Sequence, residues 1–149
     1  MFSNTSRSIT KEDIEKIELN LGIKFPNNFI DHYLAYNGGV PSAPFFYSEE
    51  TGIEVEIQIF SPIKYGFNDF DIKTVEEKYI FFREKAELLA DYLPFANDYG
   101  SNQICINLKN NKIYICYMDM GEINLKCFKF LASDFNEFLS GLSEESIDD

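Results

Sequence analysis

Leu21-Gly22-Ile23-Lys24-Phe25-Pro26-Asn27-Asn28-Phe29-Ile30 runs on through Asp31 to Tyr36 and into Asn37-Gly38-Gly39-Val40-Pro41. Much of this stretch punctuates the chain. Gly22 is the left-handed stop expected after a helix. Pro26 suits the first turn of a second helix, where its missing N–H costs little. Phe29, Ile30, Tyr33 and Leu34 give that helix one apolar face. Asn37-Gly38-Gly39 ends it, because glycine tolerates positive φ and asparagine tolerates it better than most residues. The glycine turn reads as an architectural stop feeding the next strand, in preference to a binding loop.

Upstream, Thr10 is placed as an N-cap with Asp13 three residues on, a relative of the capping-box glutamate. Ile9 and Ile14 occupy the two positions of a hydrophobic staple. Ile14, Ile17 and Leu21 keep helical spacing, so a first helix is expected over Lys11–Leu21. Downstream, Phe45-Phe46-Tyr47 is a short strand candidate. Ile53, Val55, Ile57 and Ile59 alternate with Glu54, Glu56 and Gln58, the period of a half-buried strand. Val75, Tyr79, Phe82, Ala86 and Leu89 predict a helix over Lys73–Ala90.

A second informative stretch is Leu93-Pro94-Phe95-Ala96-Asn97-Asp98-Tyr99-Gly100, followed by Ser101-Asn102-Gln103-Ile104-Cys105-Ile106-Asn107-Leu108. It reads as a Pro-Phe-Ala turn leading into a strand. Asn110-Asn111 and Asp119–Glu122 then separate strands expected over Ile113–Met118 and Ile123–Phe130, and such short connections imply an antiparallel meander; alternation slips at Cys127-Phe128, which suggests a bulge or the strand's end. Ser133 caps a last helix with Phe135, Phe138, Leu139 and Leu142 inward, and the acidic tail Ser143–Asp149 is expected to fray. The order is that of an α+β domain with a central antiparallel sheet flanked by helices.

The order and separation of the two stretches resemble the SMI1/KNR4 (SUKH) superfamily. Its members show a Leu-Gly, a Pro that starts a helix and an Asn-Gly-Gly at the helix end, then a Pro-Phe-Ala turn, an Asp, a Gly and a strand. The resemblance covers residues 9 to 142. It implies the same α+β architecture. It also implies a role as an immunity protein, since many bacterial members neutralise polymorphic toxins.

The 149 residues suit one domain, residues 1–149, with 45% hydrophobic residues to build a core. With 13 basic and 25 acidic residues the formal net charge is -12. That balance argues against nucleic acid, whose phosphates need positive charge, and against an anionic membrane surface. It suits a basic protein partner. Residues 1–7 hold no apolar run that could serve as a signal h-region, and no stretch approaches the ~18 apolar residues of a membrane span. A cytoplasmic protein is expected.

Nothing in the chain reads as catalytic. Cys105, Cys116 and Cys127 form no C-x-x-C pair, and one histidine cannot complete a common zinc set; buried free thiols on strands are expected. His32 falls at the border of the apolar helix face, where a surface residue is the better reading than a general base. Asn68-Asp69-Phe70-Asp71 lacks the alternation, glycine and terminal glutamate of a calcium loop. No catalytic residue, metal or cofactor is assigned.

The expected function is to bind and neutralise a cognate protein toxin, a basic nuclease domain being the natural target of an acidic inhibitor. The candidate surface is Glu49, Glu50, Glu54 and Glu56 with Phe45, Phe46 and Tyr47, together with the Asp69–Asp71 loop. Asp98 is expected to bond backbone N–H groups of its own turn, with a partner contact as its second reading. Two other readings stand beside this one: a non-catalytic interaction module of a regulatory network, and a small-ligand binder using an aromatic sheet face as its pocket. Exposed sheet edges leave room for a homodimer.

Overall fold

The computed structural model describes residues 1–69 and 71–148. The first helix, α1 (Lys11–Leu21), begins and ends as its local sequence dictates. The Thr10 side chain accepts from Asp13 N, the Asp13 carboxylate accepts from Thr10 N, and Gly22 closes the helix at φ 71°. Pro26 precedes α2 (Asn27–Ala35). The turn after α2 confirms the architectural reading of Asn37-Gly38-Gly39. The Asn37 amide is buried and bonds Arg7 O at 2.8 Å, Ile63 O at 2.9 Å and Ile63 N at 2.7 Å. Gly38 and Gly39 have positive φ, and a Cβ on either would sit 2.8 Å from Phe60 O or 2.6 Å from Ser3 O. This close approach lets β1 (Phe2–Ser3) pair with β2 (Val40–Pro41).

The main sheet has six antiparallel strands in sequence order: β3 (Phe45–Ser48), β4 (Ile53–Phe60), β5 (Tyr92–Asp98), β6 (Gln103–Asn107), β7 (Ile113–Cys116) and β8 (Phe128–Ala132). The sheet curls until its outer strands approach one another, and Thr51 Oγ1 donates to Phe130 O at 3.1 Å. Its edges are therefore partly covered by the protein's own chain, which weakens the case for edge-to-edge pairing of two copies.

Three sequence-based expectations need correction. Leu93–Ala96 is no turn but the interior of β5, with Leu93, Phe95 and Ala96 all fully buried. Pro94 disguises the strand: it pairs with Cys105, and the register shifts between Pro94 and Ala96, as expected where a residue cannot donate to the ladder. The helix expected over Lys73–Ala90 ends early. α3 (Val75–Lys85) is capped by Thr74 and Glu77, Ala86 turns extended, and a 3-10 turn over Glu87–Asp91 carries Leu89 into the interior. Finally, Ile123–Phe130 is not one strand. Asn124 caps a short 3-10 turn (Leu125–Cys127), and β8 starts only at Phe128.

α4 (Phe135–Ser140) is capped by Asp134, one residue beyond the expected Ser133. The segment after it is tied down: Ser143 exchanges backbone hydrogen bonds with Phe45, at 3.0 and 2.7 Å. Local charge suggested fraying there, but pairing with the edge of β3 overrides it.

Side-chain alternation assigns the two sheet faces. Ile104, Ile106, Ile113 and Ile115 join Phe29, Tyr33, Phe60, Phe95, Phe135 and Phe138 in the larger core. Phe95 lies 5.4 Å from both Phe60 and Phe135, centroid to centroid, edge to face. The opposite face contributes Cys105, Cys116 and Phe128 to a smaller cluster with Phe82, Leu89 and Cys127. Both faces are covered, so the aromatic sheet face considered as a ligand pocket is packed as core.

Candidate partner interface

Register in the β3–β4 hairpin sorts the candidate residues. Phe45 pairs with Glu56 and Tyr47 with Glu54, while Phe46 pairs with Val55 and Ser48 with Ile53. Directly paired residues share a face, so Phe45, Tyr47, Glu54 and Glu56 lie on one side. Tyr47, Glu49, Glu50 and Glu56 are exposed, and Phe45 and Glu54 are half-buried. Glu49 and Glu50 form the hairpin tip, in a turn closed by Gly52 N donating to Ser48 O at 2.7 Å. Phe46 does not belong to this surface. It points inward against Phe138, centroids 4.9 Å apart, and a Cβ on Gly141 would meet its ring at 2.6 Å.

The C-terminal segment adds residues that sequence reasoning missed. Glu54 accepts from Ser146 Oγ at 2.6 Å and from Ile147 N at 2.7 Å. Phe45, Tyr47, Glu49 and Glu54 thereby line a groove of about 410 Å³ whose other wall holds Glu145 and Ile147. A neighbouring groove of about 380 Å³ runs from Tyr47 and Glu50 to Glu137 on α4. No local pattern signals this wall, because its contacts join residues more than ninety positions apart.

The surface is electrostatically one-sided. Among the described residues the ion pairs within 4 Å are Lys64–Asp13 at 2.6 Å and Lys109–Asp91 at 3.4 Å. Among the described residues none of the hairpin glutamates has a cation within 4 Å, so their field reaches outward to about a Debye length, roughly 8 Å at physiological salt.

The other candidates lie apart from this surface. Asp69 is exposed in the loop beyond β4, lining a polar groove with Asn4–Arg7 and Lys64–Asn68. Asp71 is likewise exposed, across Phe70, which lies outside the described residues. Asp98 has the expected structural role: its carboxylate accepts from Gly100 N and Asn102 N at 2.9 Å and from Asn102 Nδ2 at 3.0 Å. Its lone pairs are thus largely committed to the β5–β6 turn.

His32 is not the open border residue that its spacing suggested. Its ring is packed among Phe2, Tyr33, Tyr36, Phe60 and Phe135, with centroids 4.8 to 5.7 Å away. Burial, then the nearby terminal ammonium, pushes its pKa down to about 4. Among the described residues Nε2 is buried without a hydrogen-bond partner. The three cysteines are free and buried. Burial raises the Cys105 thiol well above its ordinary range and Cys116 to about 12, which suppresses thiolate chemistry. Among the described residues no group of three or more His, Cys, Asp or Glu could hold a metal ion, and no helix is long and apolar enough to cross a membrane.

The chain is 24% identical over 155 aligned positions to the SPbeta prophage-derived uncharacterized protein YokK of Bacillus subtilis (strain 168). That alignment covers 93% of this chain and 77% of the relative. The profile of the SMI1 / KNR4 family (SUKH-1), a family known for immunity-type domains, matches residues 8–141. Both the match and the helix–meander–helix architecture span the two stretches from which the reading began: this chain belongs to the SMI1/KNR4 (SUKH-1) family.

Proposed function

We propose that this protein is a non-catalytic immunity protein that binds and neutralises a cognate protein toxin in the cytoplasm, the toxin being a basic nuclease domain. The observation that carries the reading is a family member's hairpin surface rich in carboxylates, none of them paired to a cation among the described residues. A nuclease must hold phosphates in a positively charged cleft, and an acidic surface occupies such a cleft with complementary field. Tyr47 and Phe45 supply the aromatic contact that anchors a complex, while exposed glutamates steer the encounter. Glu49, Glu50 and Glu56 fit the steering role best. Glu54 is engaged by Ser146 and Ile147 and so serves to hold the groove wall.

The test pairs this protein with the inactivated product of a neighbouring toxin gene and measures association by stopped flow and protection by growth rescue. A one-to-one complex and rescued growth are expected, with association by Glu49→Lys/Glu50→Lys/Glu56→Lys slowed about tenfold or more at low salt. Unchanged association would remove the hairpin from the interface. Neither binding nor rescue by the folded protein would overturn the immunity reading and favour an interaction module.

A further inference from the structure

A second concave site, on a different part of the molecule, has the opposite character. Between α3 and the ends of β6 and β7 lies a groove of about 490 Å³, within the size range of small-ligand clefts. Ile80 and Phe81 form its helix wall, both unusually exposed for apolar residues at 38% and 47%. Met118 and Gln103 face them from the sheet side.

Lys78 lines the same groove, and its ammonium is poorly compensated. Nζ has three protons to donate, but among the described residues it donates to Asn97 Oδ1 at a long 3.3 Å. Among the described residues no carboxylate comes within 4 Å of it. Glu77 and Glu84 also line the groove, but Glu84 is exposed and the Glu77 carboxylate is committed to the α3 cap, where its Oε1 accepts from Thr74 N at 2.9 Å and Thr74 Oγ1 at 3.0 Å. An unpaired cation in an apolar setting is costly, and in a chain with a net charge of -12 this one has been left without an anion. The position is also fixed. Asn97, which receives Lys78, donates in turn to Gln58 Oε1 at 2.8 Å and Asp98 O at 3.2 Å.

We propose that this groove binds a small apolar monocarboxylate, its carboxylate on Lys78 Nζ and its apolar body against Ile80, Phe81 and Met118. Two lysines line the groove, but Lys73 is exposed while Lys78 is held within it against Asn97, so the interior of the site calls for one negative charge. A phosphate ester would need the several donors of an arginine fork or an amide nest, which this lining lacks. The apolar walls select against small hydrophilic acids, because only an apolar body gains from displacing water there. Burial lowers the Lys78 pKa to about 8, so the amine is mostly protonated at neutral pH and a bound anion would hold it so.

The probe is octanoate, with 1-octanol and octylammonium as matched controls, titrated into the full chain and followed by methyl and aromatic NMR. Octanoate is expected to saturate a single site, shifting Ile80, Phe81 and Met118, with octanol at least about tenfold weaker and octylammonium weaker still. Lys78→Met should weaken octanoate by about tenfold or more and leave octanol unchanged. It should also retain the fold, since removing an uncompensated charge in favour of an apolar chain of similar length is neutral or stabilising. Phe81→Ser, on the exposed wall, should weaken both ligands. No saturable shift at millimolar octanoate, shifts elsewhere on the protein, or equal octanoate affinity in Lys78→Met would each overturn the proposal.

Discussion

The two sides of the sheet are built on different principles. The side under α1, α2 and α4 is an interlocked set of rings, with Phe29, Phe60, Phe95, Phe135 and Phe138 all at 1% exposure or less. The other side, under α3, is a thinner cluster of three cysteines, Phe82, Leu89 and Phe128, rimmed by half-buried Tyr92, Tyr114 and Met118. Rings in edge-to-face contact fill volume and fix orientation together, whereas thiols fill small gaps without strong shape demands. The first side should carry the stability of the fold, leaving the second able to tolerate a surface groove and an uncompensated lysine. Substitutions on the two sides test this division.

The largest expected effect is on the ring side. Phe95→Ala removes a fully buried ring that touches Phe29, Phe60, Phe135 and Phe138, and should cost about 3–5 kcal/mol in chemical denaturation. Cys105→Ala, equally buried on the opposite face, should cost about 1 kcal/mol, because only the sulfur's contacts are lost. Comparable losses at both positions would break the comparison. In the native protein the thiols should also label with maleimide only as fast as the fold opens, since burial holds Cys105 and Cys116 protonated.

Next in size is the Asn37 junction. Asn37→Ala strands the Ile63 N–H and withdraws a donor from Arg7 O and Ile63 O. About 2–4 kcal/mol of destabilisation is expected, with Asn37→Asp recovering only part, since a carboxylate can accept from Ile63 N but cannot donate to the carbonyls. A loss within 0.5 kcal/mol would mean that the loop after β4 is held by other contacts.

His32 gives the ring side a pH dependence. Its pKa is about 4 in the fold and about 6.5 in an unfolded chain. Above pH 6.5 both states are neutral and the full stability is present. Below that, the unfolded chain takes up a proton that the aromatic cage refuses, so stability falls progressively as pH drops from about 6.5 towards 4. The ceiling is about 3 kcal/mol, and the ring's partly open edge brings the expected loss nearer 2. His32→Phe should flatten the stability profile across that window. An unchanged profile would assign the acid sensitivity to other groups.

The same contrast explains what the sequence made legible. α1 was readable to the residue because its signals are local: Thr10, Asp13, Ile9, Ile14 and Gly22 all act within a turn of the helix they bound. The Asn37-Gly38-Gly39 stop was equally plain. β5 was not, because Pro94 carries a strong turn signal and only pairing on both sides, with β4 and β6, makes Tyr92–Asp98 a strand. The 3-10 turn around Leu89 was hidden for a related reason: periodicity cannot tell that a helix must break to send one side chain into the smaller cluster. At Cys127-Phe128 the slip in alternation marked the break, but not that a 3-10 turn makes it. At the candidate interface the outward glutamates followed from alternation. Phe46 did not: the sequence reading groups it with Phe45 and Tyr47 on the outer surface, and only the register that pairs it with Val55 shows it to be inward. The groove wall of Glu145, Ser146 and Ile147 did not, since no short-range pattern joins it to Glu54.

That wall is the subject of the smallest expected effect. Glu54→Gln keeps an oxygen for Ile147 N but gives up the charge that strengthens both of its bonds. The contacts are near the surface, where ionic contributions are small, so global stability should change by less than about 1 kcal/mol. The local consequence should be larger than the global one. With the Phe45–Ser143 pairing intact, the chain beyond Ser143 should become free to open, so amide exchange at Ile147 should accelerate while Phe45 and Ser143 stay protected. If Glu54 serves only to hold this wall, association of Glu54→Gln with the proposed partner should also match that of the unchanged protein. Unchanged exchange at Ile147 would mean that β3 alone fixes the segment. Glu54 would then be available to the partner, and the steering surface would extend from three glutamates to four.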